Sequence, residues 1–210
     1  MVPKDLEKAR MKLILASASP RRAEILRHAG FTFDIHAVRV DESRLPDEPP
    51  EDYVRRLASA KARLAAEHAT QDGQPAIVIA ADTVISLGRQ ILGKPSDGDD
   101  ARRMLRLLSG KTHKVLTGLS IVNVPAGPEN LHVETTYVTF LELSEKDVEE
   151  YVATGEPLGK AGAYAIQGIG SRFITRIEGC YFNVVGLPLA CLWSSLRASG
   201  WDERRHDPGC

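Results

Sequence analysis

Residues Ala76 to Leu87, AIVIAADTVISL, restrict the possible folds of this 210-residue chain more than any other stretch. The run is β-branched and apolar on both alternating faces, which predicts a central strand covered on each side. A chain holding such a strand must supply packed layers above and below it. Asp82 sits in the middle of the run. A bare carboxylate is costly there, so it needs a cation, a metal or several donors beside it, or else a raised pKa. Satisfaction by backbone N–H groups at a strand bulge is the plainer alternative.

A second constraint comes from Leu13 to Leu26, LILASASPRRAEIL. The apolar run from Leu13 to Ala16 stops at Ser17-Ala18-Ser19, and Pro20 opens a helical pattern with Ile25, Leu26 and Ala29 as its stripe. A buried strand thus turns directly into a helix. Ser19 has the chemistry of an N-cap, and Pro20 suits the first helical position, where a missing N–H costs nothing. Arg21 and Arg22 fall in the first turn, at the positive end of the helix dipole, where a cation is unfavourable. Two arginines set against the dipole point to an anion between them, held by free N–H groups, one or two serine hydroxyls and two guanidinium forks. The competing reading is a surface helix start that happens to carry arginines.

The remaining elements follow in order. Phe31 to Val40 alternates as a half-exposed strand and ends at Asp41-Glu42, and the acidic, proline-rich segment from Ser43 to Pro50 reads as a loop. Glu51 to Ala69 predicts a long helix with Tyr53, Leu57, Ala60 and Leu64 on its apolar face. Lys61 lies on the edge of that face, either snorkelling to solvent or pointing into a cleft. Gln90 to Leu92 reads as a return strand that delivers Gly93-Lys94-Pro95 beside the Asp82 strand, making Lys94 the expected cation for that carboxylate. Asp97 to Leu108 is a helix with Ala101, Met104, Leu105 and Leu108 inward. Thr112 to Val124 and Leu131 to Leu143 form an antiparallel hairpin, and Ser144 to Asp147 is a capping box. The glycine- and proline-rich stretch from Gly155 to Gly168 carries Lys160 and Gln167 and reads as a loop closing over a site. Arg172 to Ile177 is a strand, Tyr181 to Val185 a short extended piece, and Leu187 to Ala198 a terminal helix. Strands alternate with helices first and pair with each other later, so the class is α/β with a mixed sheet.

Composition excludes several functions. Twenty-seven basic residues against 28 acidic ones leave no basic stripe of the kind a nucleic-acid binder carries. No apolar run reaches the length of a membrane span, and the first ten residues lack a signal-peptide core, so a cytoplasmic protein is expected. Cys180, Cys191 and Cys210 fit neither a zinc spacing nor a disulfide framework.

The motifs taken together resemble the Maf proteins, a family of nucleoside triphosphate pyrophosphatases. The pieces are Ser17 to Arg22, Ala81-Asp82-Thr83, Gly93-Lys94-Pro95, Ser109 to His113, Lys160 to Tyr164 with Gln167-Gly168, and Asn183 to Pro188. The resemblance runs from Lys12 to about Leu196. Residues 1–11 are left as an N-terminal extension, 12–198 as one domain and 199–210 as a charged, loose tail. Arg21, Thr83 and Gln167 resemble the positions linked to substrate choice in the branch acting on dTTP and UTP. Gly159 departs from the family pattern, in which an aspartate usually precedes the lysine.

That resemblance implies a Maf/ITPase-like single domain, a central mixed, twisted sheet flanked by helices with two lobes around a cleft. It implies cleavage between the α- and β-phosphates, a divalent cation such as Mg²⁺ or Mn²⁺, and a possible homodimer. Asp82 is then the general base, Glu42 and Asp82 the metal ligands, and Ser17, Arg21, Arg22, Lys61, Thr83, Lys94, Lys160 and Gln167 the substrate-binding set. Two carboxylates suit a hydrated Mg²⁺, which shares its other positions with water and phosphate. The Gln167 amide offers a donor and an acceptor to uracil or thymine; a glutamine capping a loop is the alternative. The competing functions are a sister activity on 7-methyl-GTP or other modified nucleotides and a non-catalytic role in restraining septum formation.

Overall fold

The computed structural model describes residues 11–71, 73–125 and 127–201. The chain runs β1 (Lys12–Leu15), α1 (Pro20–His28), β2 (Asp34–Ile35), α2 (Pro50–Gln71), β3 (Ala76–Leu87), β4 (Gln90–Leu92), α3 (Gly98–Leu108), β5 (Thr112–Val124), β6 (Glu129–Phe140), α4 (Glu145–Ala153), β7 (Ile174–Glu178), α5 (Tyr181–Val185) and α6 (Leu189–Ala198). Short 3₁₀ turns lie at Ala161–Ala163 and Ile169–Phe173. The strands form one mixed sheet in the order β2-β1-β3-β5-β6-β7, with β4 paired to the end of β3. β1 is parallel to β2 and β3, and the other pairings are antiparallel.

β3 is the spine, buried along nearly its whole length. Its alternate residues serve two layers, as strand geometry requires. Ile77, Ile79 and Ala81 pack with Ile25 and Leu26 of α1 and Leu192 and Leu196 of α6. Val78 and Ala80 face Ala62, Ala65 and Ala69 of α2. One edge of β3 is shared by two neighbours: β1 pairs with Ala76 to Ile79 and β4 with Ile85 to Leu87. Asp82 and Thr83 fall in the gap between them. Where β1 ends and its chain turns into α1, the sheet edge opens.

The face of α2 that meets the sheet differs from the one read in the sequence. Val54, Leu57, Ala58, Ala62, Ala65 and Ala69 are buried, whereas Tyr53, Ala60 and Leu64 are only partly covered. The cause is close approach. A Cβ on Gly118 of β5 would lie 2.2 Å from the Val54 carbonyl oxygen, so the helix rests on bare backbone. Four of those six buried residues are alanines, which carry little hydropathic signal.

Other expectations are corrected. The strand expected over Phe31 to Val40 shrinks to Asp34–Ile35, both exposed, and the chain continues to α2 without regular structure. Tyr181–Val185 is a helical turn, not an extended piece, because Asn183 donates its side-chain amide to Val115 O and Thr136 Oγ1, each at 3.0 Å. Residues 172 and 173 belong to a 3₁₀ turn, so β7 starts at Ile174. Trp201, expected in a loose tail, is buried against the α1 and α6 layer. The helix expected over Asp97 to Leu108, the long hairpin and the Ser144 capping box are present, with Asp97 as the helix N-cap and the second hairpin strand running Glu129–Phe140 instead of reaching Leu143. Among the described residues no helix is long and apolar enough to cross a membrane. Cys180 and Cys191 are free thiols, and Cys210 lies outside the described residues.

Candidate functional site

A cleft of about 790 Å³ opens at the gap in the β3 edge. Its walls come from the turn between β1 and α1, the middle of β3, the Gly93-Lys94 corner after β4, and the segment from Leu158 to Ala161. Five cationic side chains line it, Arg21, Arg22, Lys61, Lys94 and Lys160, against two carboxylates, Glu42 and Asp82. The chain as a whole has a net charge of −1. An excess of three positive charges in one concavity therefore marks a place for a polyanion.

Asp82 and Thr83 are adjacent on β3 and point to opposite faces, so each organises a different group. Asp82 lies on the α2 face. Lys61 of α2 reaches it with Nζ 2.7 Å from Asp82 Oδ1, and the same ammonium lies 2.6 Å from Glu42 Oε1. The Lys61 and Asp82 side chains are each 12% exposed, so this ion pair is largely desolvated. The cation facing Asp82 is thus Lys61 and not Lys94. Lys94 lines the cleft without an ion pair to any described residue. Asp82 Oδ2 accepts no hydrogen bond from the described residues, which leaves it open to water.

Thr83 lies on the α1 face, where Arg22 joins three chain segments. Its Nε donates to Gly186 O at 2.8 Å, Nη1 to Ser17 Oγ at 3.0 Å and Nη2 to Thr83 Oγ1 at 3.0 Å. Burial lowers the Arg22 pKa, an effect opposed by the Asp82 charge. The guanidinium stays protonated all the same. Arg21 makes no hydrogen bond or ion pair with a described residue, and α1 has no acidic residue in its first turn. Ser19 is the N-cap by conformation but makes no side-chain cap; Ser17 Oγ accepts the Ser19 N–H instead, at 3.2 Å.

Within the Gly155 to Gly168 segment, Leu158 to Ala161 form a wall of the cleft. Gly162 N donates to Gly93 O at 2.9 Å, tying this segment to the Lys94 corner. Gly162 has φ +67°, and a Cβ there would lie 2.5 Å from Ile85 Cδ1, so only glycine passes over β3 at this point. Lys160 lines the cleft and donates to the Glu156 carbonyl. Gln167 is exposed and outside the lining of the cleft. Of the residues singled out in the sequence, Ser17, Arg21, Arg22, Glu42, Lys61, Asp82, Thr83, Lys94 and Lys160 are brought together, and Gln167 is not.

Sequence reasoning missed the buried polar chain behind Thr83. Thr83 Oγ1 shares a hydrogen bond with Thr117 Oγ1 at 2.9 Å, and Thr117 Oγ1 donates to Asn183 O at 3.3 Å. Gly186, whose carbonyl holds Arg22, lies in the same Asn183 to Pro188 stretch. That stretch was visible as a motif, but its contact with Arg22 spans 164 positions in the chain.

A family model described as "Maf-like protein" matches residues 12–199. The chain belongs to the Maf-like family. Three relatives named dTTP/UTP pyrophosphatase are similar over nearly their full lengths. That of Koribacter versatilis is 47% identical over 90% of this chain and 95% of its own. That of Anaeromyxobacter dehalogenans is 49% identical over the same shares, and that of Moorella thermoacetica 49% identical over 91% and 96%.

Proposed function

We propose that this Maf-like protein hydrolyses dTTP and UTP between the α- and β-phosphates, releasing the nucleoside monophosphate and pyrophosphate. The observation that carries the reading is the Glu42–Lys61–Asp82 cluster at 2.6 and 2.7 Å, set in a cleft whose opposite wall is the arginine-bearing start of α1. The similarity to relatives bearing that activity's name supports the choice of nucleotide.

The residues present fit a divalent cation. Two carboxylate oxygens, from a loop and from β3, converge on one cation position, which the Lys61 ammonium takes. Among the described residues no group of three or more His, Cys, Asp or Glu gathers, so a metal held by Glu42 and Asp82 would draw its other ligands from water and substrate phosphate. When bound, such an ion supplies positive charge to the phosphates. Arg21, Lys94 and Lys160 hold the triphosphate by charge, and Arg22 fixes the wall against which it lies. Asp82 orients a water through its free oxygen and accepts the proton as the water attacks the α-phosphorus. Lys61, paired with both carboxylates at 2.6 and 2.7 Å, would yield that position to a bound cation.

Arg21 is the side chain free to meet a base, because the Thr83 hydroxyl is engaged with Arg22 and Thr117. A role for Gln167 in base choice requires its segment to move toward the cleft. The deciding experiment is a triphosphate panel with Mg²⁺, Mn²⁺ and no metal, read by pyrophosphate release. Preference for dTTP and UTP is expected; preference for 7-methyl-GTP would overturn the choice of substrate.

A further inference from the structure

Glu42 is carried by a segment with no helix or strand, running from the end of β2 to the start of α2. Such a segment places a carboxylate accurately only if something outside the cleft holds it. Glu48 and Arg56 provide that hold. Arg56 donates Nε to Glu48 Oε1 at 2.6 Å and Nη2 to Glu48 Oε2 at 2.8 Å, a bidentate pair. Its Nη2 also meets Ser43 O at 3.0 Å, one residue beyond Glu42. Glu48 in turn accepts Leu45 N–H on Oε2 at 3.1 Å and gives its carbonyl to Arg44 Nη2 at 2.7 Å. The Tyr53 ring lies under the Arg56 guanidinium, 5.5 Å from centroid to Cζ, and the Tyr53 hydroxyl donates to Glu42 O at 2.8 Å.

The Glu48 side chain is only 6% exposed. Its carboxylate is held by Arg56 of α2 and by the Leu45 N–H of the loop. The Arg56 contact holds the Glu48 carboxyl below the usual carboxylate range, and the same bond raises the Arg56 pKa. Arg56 lies on α2 five residues before Lys61, so one rigid helix carries both the clamp on the loop and the ammonium that meets Glu42.

We propose that the Glu48–Arg56 pair, with Tyr53, positions Glu42 against Asp82 and so sets how tightly the cleft holds a divalent cation, without taking part in the chemical step. This rests on the metal reading given above. The test uses Arg56→Met and Glu48→Gln, with Arg56→Lys as the conservative variant. Mn²⁺ binding is measured by electron paramagnetic resonance in the presence of α,β-methylene-dTTP, and the metal dependence of turnover is measured separately.

Loss of groups that orient metal ligands typically weakens metal binding about 10- to 100-fold. That loss is expected for Arg56→Met and Glu48→Gln, with most of the affinity kept in Arg56→Lys. At saturating metal, kcat is expected within about threefold of wild type, since a positioning group in this role lies outside the reacting atoms. Folded variants that bind Mn²⁺ as wild type does, or that lose kcat at saturating metal with unchanged Mn²⁺ affinity, would overturn the proposal. Should the first two variants fail to fold, Tyr53→Phe removes the Glu42 O contact alone. It is expected to weaken Mn²⁺ binding severalfold, and unchanged binding would count against the proposal. A wild-type protein that releases pyrophosphate yet binds no Mn²⁺ with the analogue would overturn the metal reading and the proposal together, leaving the substrate assignment intact.

Discussion

His113 makes acid stability the sharpest quantitative test of this fold. Its ring, 1% exposed on β5, is packed edge-on against Phe140 and Tyr164 with centroids at 5.1 and 5.5 Å. Nε2 shares a hydrogen bond with Tyr164 OH at 2.8 Å, and Nδ1 is buried with no partner. A charged imidazolium would leave a proton unsatisfied there, and burial lowers the pKa from 6.5 to about 4. The folded pKa lies below the unfolded one, so as pH falls the unfolded chain takes up the proton first. The stabilisation is therefore complete above about pH 6.5 and is lost as pH falls toward 4. At 1.36 kcal/mol per pKa unit the full loss is about 3 kcal/mol, of which about 2 kcal/mol is gone by pH 5. Urea unfolding at pH 7.5 and 5.0, for wild type and His113→Gln, isolates this effect, because the other titrating groups are common to both. Wild type should lose about 2 kcal/mol more than the variant over that interval. Equal losses would refute the reasoning.

Three further outcomes follow from the cleft and its support. Asp82→Asn removes the base and should lower kcat by about 10²- to 10⁴-fold while circular dichroism and the melting transition show a folded protein; turnover near the wild-type rate would remove Asp82 from the chemistry. Lys61→Met frees Glu42 and Asp82 of their ammonium, so Mn²⁺ binding without nucleotide should tighten about tenfold or more, equivalent to about 1.4 kcal/mol, and calorimetry showing no gain would contradict a shared cation position. Gly118→Ala drives a methyl into the Val54 carbonyl contact of 2.2 Å and should cost about 1–3 kcal/mol in denaturant unfolding.

Burial on both faces leaves a plain mark in sequence, which is why β3 and the position of Asp82 within it were legible. The strand-to-helix turn at Ser17 to Arg22 was legible for a similar reason, since a proline and two arginines at a helix start obey few other patterns. The partner of Asp82 was harder. Nothing local says that Lys61, 21 residues earlier, will meet it while Lys94 will not. That outcome depends on how closely α2 rests on the sheet, which Gly118 sets from another strand. The buried stripe of α2 was misplaced for the same reason, because alanines filling a narrow gap look weaker than the leucine and tyrosine beside them. Tyr181–Val185 has strand-like composition, yet the Asn183 contacts to two strands hold it as a helical turn. The Glu48–Arg56 clamp joins residues whose separation, eight positions from loop to helix, follows no periodicity.

Hydrolysis of dTTP in ¹⁸O-labelled water, with products separated and weighed by mass spectrometry, tests the reaction most directly. Attack at the α-phosphorus by a water held on Asp82 places the label in the nucleoside monophosphate and leaves the pyrophosphate unlabelled. Label in pyrophosphate, or release of orthophosphate with a nucleoside diphosphate, would contradict it.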